Sequence, residues 1–510
     1  MLKSVFKTTA ASALVALAGL AATASPSLAD GKMTVAIALD PGSWDPIDTF
    51  LVAWGAVGSN IFDGLTYRDE NAKLGPGLAT SWDVLDDGKR IRFSLREGVT
   101  FHDGEPFNAD AVKYTFDRLL GDEGAKGPQR ANYTSIESVE VIDENTVDFH
   151  LTAPDPVLLT KLAGYGAMIV PPKYLEENGD EYFNTHPVGT GPFKFVSYNP
   201  KVDLDLEANP DYWGGAPKLS ELQYRFIAES ATAVAELQAG RVDLMEDLPI
   251  SMIPVVEGDS KLEVLSTTGP TVYGLRYNTR DGITKDANVR KALTMAVDRA
   301  TIISSLLGGE ASEIASFQSA LSFGDDPDLK PLPYDPEGAK KLLEEAGVAP
   351  GAEVQIDIRA GNSTMNEVAQ AIAAYLQVVG IKATVKPYES SVFLNDIVPQ
   401  GKTGAMFQQS WGGWTLDYDN TAYLLYHTGE KWNPYGNDTT LDAMLEEQRP
   451  MTDVAEREKK LQAIAGYIAD QALEMPLYAL NSIYGINKRV EGFVPAPDNR
   501  IKLNNVSIAE

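Results

Sequence analysis

Residues 408–418 read QQSWGGWTLDY, the densest set of side chains in the chain suited to gripping a small molecule. Trp411 and Trp414 flank Gly412 and Gly413, and Asp417 follows three residues later. Glycine lets backbone approach a ligand closely. Tryptophan offers a large flat wall with an N–H donor. A carboxylate among such walls is a fixed negative charge, costly to bury unless a cation or donors meet it. Two kinds of partner are open to Asp417: a cationic ligand group, or the chain itself, through a helix cap or a nearby arginine. Arg359 is the matching candidate for an anion. It lies at the end of the strand read at 353–358, before Ala360-Gly361-Asn362-Ser363, and a guanidinium holds a carboxylate by two parallel hydrogen bonds. An arginine on a solvated strand end is the alternative. Further wall candidates are Trp44 and Asp45, Tyr273 and Asn278, and Trp432 and Tyr435 in the loop GEKWNPYGND. Core packing or turn formation would account for each of these equally well.

Catalytic and metal chemistry finds less support. His102, His150, His186 and His427 show no paired spacing such as HExxH. Asp417 and Asp419 begin like a calcium loop, but the required glycine and terminal glutamate are missing. There is no GxSxG elbow and no P-loop. The expectation is therefore no cofactor, no metal and no enzyme. A secreted hydrolase using two carboxylates is the enzyme alternative, and a His427 contact to a metal chelate is the metal alternative.

The elements that must position these residues mix strand and helix throughout. Residues 90–96 alternate strictly, with Ile91, Phe93 and Leu95 on one face, which predicts a half-buried strand. Turns at Asp86-Asp87-Gly88 and His102-Asp103-Gly104 bracket it, and Asn108 opens a helix carrying Val112, Phe116 and Leu119. Residues 139–149 read as a hairpin. Residues 285–307 read as one helix capped by Asp286 and stopped by Gly308-Gly309. A strand, a helix opened by a Thr364–Glu367 capping box, and a second strand span 353–386, the signature of an α/β lobe.

Composition narrows the setting. Lys3 and Lys7, the apolar run 10–22 and Ser27-Leu28-Ala29 predict a signal peptide over residues 1–29 rather than a membrane anchor. Its removal shifts the formal net charge from -29 to about -31. Such acidity disfavours nucleic acid and anionic membrane surfaces and favours solubility. With no cysteine, a lipid anchor at the cleavage site is excluded, and the fold must manage without disulfides. About 480 mature residues imply two or three domains.

The string LATSWDVLDDGKRIRFSLREGVTFHDGEPFNADAV at 78–112 resembles the signature of the family 5 (peptide/nickel type) solute-binding proteins of ABC importers. GTGPF at 189–193 with NPDYW at 209–213, LQAGRVDL at 237–244, and NVRKAL at 288–293 with AVDR at 296–299 resemble further landmarks in family order. The resemblance implies an α/β, two-lobe periplasmic binding protein with the ligand cleft between lobes. Lobe I would comprise 30–65, 186–276 and 477–510, with a subdomain inserted at 66–185, and lobe II would span 277–476. It implies capture of a small peptide or amino-acid-derived solute by lobe closure and delivery to membrane permease subunits. An opine-type or glutathione-like conjugate and an oligosaccharide are the alternatives; for the saccharide, Trp44, Trp411, Trp414 and Trp432 would serve as stacking platforms. A monomeric, periplasmic protein is implied. Gly413-Trp414-Thr415-Leu416-Asp417 is similar to the family's Gly-Trp-x-x-Asp pattern, whose aspartate grips the peptide α-ammonium in dipeptide and oligopeptide receptors. Arg359, by its spacing from Gly380, resembles the arginine that binds the ligand carboxylate.

Overall fold

The computed structural model describes residues 31–69, 71–498 and 500–509. The signal peptide expected over residues 1–29 lies outside them. Among the described residues, one eleven-stranded sheet links both halves of the molecule. Its first half is built on the buried strand Lys32–Ile37, which lies parallel to Glu221–Phe226 and to the short strand Leu244–Met245. Its second half is the parallel set Glu353–Arg359, Lys382–Tyr388 and Met406–Trp411.

Two long antiparallel strands, Leu262–Tyr277 and Glu474–Asn487, run through both halves. They pair from Leu262↔Asn487 to Thr268↔Asn481, lose register, and resume at Val272↔Ala479. A bulge frees the ladder locally and bends the strand. Gly269 sits in this break, where a Cβ would fall 2.3 Å from the Leu480 carbonyl oxygen, so no larger residue fits unless the strands part. The chain passes between the two halves along these two strands.

Three large apolar cores flank this sheet and a smaller one. Trp44, Trp54, Phe62, Tyr224 and Tyr484 belong to the first, beside the Lys32–Ile37 strand. The second lies under the four-stranded sheet formed by Ala79–Leu85, Arg90–Leu95, Thr146–Leu151 and Ile136–Asp143. There Ile91, Phe93 and Leu95 point inward, as the alternation predicts. Val112, Phe116 and Leu119 cover the same core from the helix Ala109–Leu120, whose Asn108 side chain accepts from the Ala111 N–H. The third core gathers Leu275, Leu293, Ile356, Ile372 and Leu477 in the second half.

Two local expectations are corrected. The stretch 285–307 is two helices, Ala287–Met295 and Arg299–Leu306, because the Asp298 side chain accepts from the Thr301 N–H and starts a new helix. The helix Ser363–Val378 is capped by Asn362, which accepts from the Met365 N–H, two residues before the expected capping box. No helix among the described residues is long and apolar enough to cross a membrane.

Candidate functional site

The strand Met406–Trp411 pairs with the crossing strand, setting Trp411 opposite Val272 and Ser410 opposite Tyr273. Beyond it the chain turns through Gly413 and Leu416, both with positive φ (48° and 50°). Leu416 is held in this conformation by its N–H to the Gly413 carbonyl. Such strain in a non-glycine residue needs support from its surroundings. Asp417 then caps the helix Tyr418–Tyr426 by accepting from the Asp419 N–H.

A cavity of about 450 Å³ opens between the halves at this turn. Phe50, Tyr165 and Arg500 line it from the first half, and Ser410, Trp411, Gly413 and Trp414 from the second. Its size falls in the range of small-molecule sites. Trp414 meets the edge of Phe50 at 5.4 Å. The buried Arg68 guanidinium donates to the Trp414 carbonyl at 3.0 Å and to the Thr415 carbonyl, tying the turn to the opposite half. Burial, with Arg500 alongside, pulls the Arg68 pKa down to about 9.

An adjoining cavity of about 250 Å³ shares Ser410 and Trp411 and is lined by Arg359, Gln408, Phe393 and Trp432. The Arg359 backbone N–H donates to the Gln408 side chain at 2.9 Å. Among the described residues its guanidinium forms no ion pair or hydrogen bond, and it draws down the Tyr273 hydroxyl pKa that burial otherwise raises. Trp432 meets Trp411 edge-on at 6.4 Å, and Tyr273 stacks on Tyr478 at 5.3 Å.

The remaining sequence candidates have other work. The Asp417 carboxylate is gripped by Arg457 through two bonds of 2.7 and 2.8 Å, with both side chains about 95% buried. Asp417 lines neither cavity; both structural roles left open by the sequence, helix cap and arginine partner, are filled at once. Trp44 is fully buried against Tyr198 and Phe226. Asp45 is buried in an ion pair with Arg118. Asn278 shapes a turn by accepting from the Arg280 and Asp281 N–H groups. Tyr435 bonds Thr403 at 2.6 Å beneath the Arg280 guanidinium. Trp411, Gly413, Trp414, Arg359 and Trp432 are thus brought to one place; Tyr273 pairs with Ser410 behind it without lining either cavity, and Trp44, Asp45, Asn278, Tyr435 and Asp417 are not part of it.

Phe50, Tyr165 and Arg500 were missed because they reach the cavity from loops or a single 3-10 turn without a motif, and Arg68 because it reaches the Trp414 turn from the end of a three-residue strand. One further group of potential metal ligands, Glu140, Asp148 and His150, lies on the outer sheet. Asp148 there is already bound by Arg90 and Arg92 at 2.7–2.8 Å.

With this geometry in place, residues 73–433 match the family model for bacterial extracellular solute-binding proteins, family 5. The chain belongs to that family. It is 28% identical over 509 residues to the glutathione-binding protein GsiB of Escherichia coli O1:K1 / APEC, covering 98% of each chain. It is likewise 28% identical over 473 residues to heme-binding protein A of Haemophilus influenzae, covering 87% of this chain and 86% of the relative. The solved structure of HbpA2 from Haemophilus parasuis superposes with a TM-score of 0.86 at 25% identity, over 94% of this chain and 100% of that one. The family 5 chain is accordingly a two-lobe binding protein, and it serves as the extracytoplasmic receptor of an ABC importer.

Proposed function

We propose that this receptor captures a small peptide or amino-acid-derived solute between its lobes and holds the ligand carboxylate on Arg359. The observation carrying this reading is the unpartnered Arg359 guanidinium in a cavity continuous with the Trp411–Trp414 wall. A charged group facing a cavity without an internal partner is paired by what enters. The relative named as a glutathione-binding protein supports the class, since glutathione is itself an amino-acid conjugate with free carboxylates.

In this reading lobe I takes residues 30–65, 186–276 and 477–510, the subdomain 66–185 is inserted in it, and lobe II takes 277–476. The separate first and third apolar cores support two lobes, and Leu275 and Leu477, which pack in the third, place that end of both crossing strands with lobe II. Ligand touches both lobes and so favours closure about the crossing strands, because only differential affinity shifts such an equilibrium. The closed form delivers the solute to permease subunits, and no covalent chemistry occurs in the receptor. It acts in the periplasm as a monomer, after cleavage of residues 1–29, and binds no nucleic acid.

The test is a thermal-shift screen of residues 30–510 against free dipeptides and tripeptides and their C-terminal amides. Ligand binding to the folded state alone raises the melting temperature. Free-carboxylate peptides should shift it, and their amides should not. Equal shifts from both forms, or no shift from either, would overturn the reading.

A further inference from the structure

A third cavity, of about 550 Å³, opens in the first half of the molecule. In the division proposed above it lies where lobe I meets the inserted subdomain. Tyr67 and Ala163 line it from the subdomain, and Asp63, Tyr212, Trp213 and Lys502 from lobe I. It shares Asp498 and Arg500 with the interlobe cavity. That cavity in turn shares Ser410 and Trp411 with the space around Arg359. Three adjoining spaces therefore run from Arg359 in lobe II to Lys502 in lobe I.

The charges around this chamber differ in what already meets them. Asp63 accepts from Thr190 and Trp213 at 2.9 Å and from Tyr212 at 3.2 Å. Asp69 accepts from the Asn71 and Lys73 N–H groups. Arg68 is spent on the Trp414 and Thr415 carbonyls. Asp498 accepts from the Arg500 backbone N–H at 3.2 Å and has the Arg68 guanidinium 3.7 Å away. The two remaining cations are less well met. The Arg500 side chain is only 10% exposed; its Nη1 donates to the Ala163 carbonyl, and its Nε lies 3.1 Å from Asp498 without forming a hydrogen bond. Lys502 is exposed along the chamber wall. Among the described residues its ammonium joins no ion pair and no hydrogen bond, and it rests 4.3 Å over the Tyr67 ring.

We propose that Arg500 and Lys502 take a second carboxylate of the ligand whose first carboxylate Arg359 holds. The cargo is then a peptide or amino-acid conjugate with two separated anionic groups. This inference rests on the peptide or amino-acid reading given above. The acids of the chamber have their donors, while the two cations keep N–H groups to give, so an anion completes the set. Guanidinium offers a planar fork and ammonium a mobile point charge, a pair suited to one carboxylate. Tyr67, Tyr212 and Trp213 supply flat apolar wall for the stem that carries it. A cationic arm would instead meet like charge, with each acid already bonded. Such a ligand has one charged contact on each lobe, and that favours the closed form.

The probes are the tripeptides Glu-Ala-Ala, Ala-Glu-Ala and Ala-Ala-Glu, each beside its glutamine counterpart. They are titrated calorimetrically into wild type, Arg500→Gln, Lys502→Gln and Arg359→Ala. For at least one position, wild type should bind glutamate about tenfold more tightly than glutamine. Arg500→Gln and Lys502→Gln should each close most of that gap. Lys502→Gln should melt like wild type, because Lys502 holds no internal bond, so its lost preference reads binding and not folding. Arg359→Ala should weaken both members of the pair alike and leave the gap between them. A wild type without preference for glutamate at any position would overturn the inference, and so would a Lys502→Gln protein that keeps the full gap. If Arg359→Ala still weakens both members in either case, the carboxylate reading stands without it. A wild type that binds none of the probes overturns both this inference and the reading beneath it.

Discussion

Asp417 and Glu246 are both buried acids, and their surroundings are opposite. Asp417 carries the family's sequence pattern, yet its oxygens are met by Arg457 and by the backbone of the helix it starts. Glu246 lies in no ligand motif, yet it meets no donor at all among the described residues. The contrast teaches that a charged side chain's partners, more than its motif, decide whether it is free to bind. Arg359 falls on the side of Glu246 in this comparison, and Arg68 on the side of Asp417.

The largest expected effect would break the comparison at its structural end. Asp417→Ala or Arg457→Ala leaves one buried charge unpaired and should cost about 3–5 kcal/mol of unfolding free energy by denaturant titration. If either variant is as stable as wild type, the pair is not structural. Next is the pH dependence set by Glu474. It is buried, accepts from the Phe317 N–H and the Tyr426 hydroxyl, and its pKa is raised by burial to about 8. The folded state holds this proton more tightly than the unfolded chain. Stability from this group is therefore fully present below about 4.5 and is lost as pH rises through about 8. Glu474→Gln should flatten that loss, on the order of 5 kcal/mol, in melts across this window.

A smaller effect concerns affinity. Arg359→Ala should weaken binding of a free-carboxylate peptide by roughly tenfold, with the C-terminal amide unaffected and the melting temperature of the empty protein unchanged. Arg359→Lys should lose several-fold, because an ammonium cannot reproduce the paired bonds. The smallest expected change sharpens the comparison at Arg68. Its bonds to the Trp414 and Thr415 carbonyls tie the turn to lobe I without facing ligand charge. Arg68→Ala should weaken peptides and their amides alike, by roughly threefold.

The strands and helices were legible where periodicity and caps acted locally. Ile91, Phe93 and Leu95 form a buried face, and Asn108 and Asp286 cap the helices they precede. The break at Asp298 was hidden because the apolar spacing continues across it while one side chain restarts the helix. The wall at Trp411, Gly413 and Trp414 was legible as a concentration of types. The role of Asp417 was not, since its partner Arg457 lies 40 positions away and only folding brings the two together. Trp44 misled for a related reason: a tryptophan after a first strand suits a cleft or a core, and here Tyr198 and Phe226 enclose it. Glu246-Asp247 lies one residue past the LQAGRVDL landmark at 237–244. Two acids after an apolar strand were a usable signal, but their lack of partners appears only in three dimensions.

A crystal structure of residues 30–510 bound to the strongest peptide hit would test the central claim most directly. The account predicts the ligand carboxylate paired with Arg359 and Asp417 still joined to Arg457. An ammonium bound at Asp417, with Arg457 displaced, would contradict it.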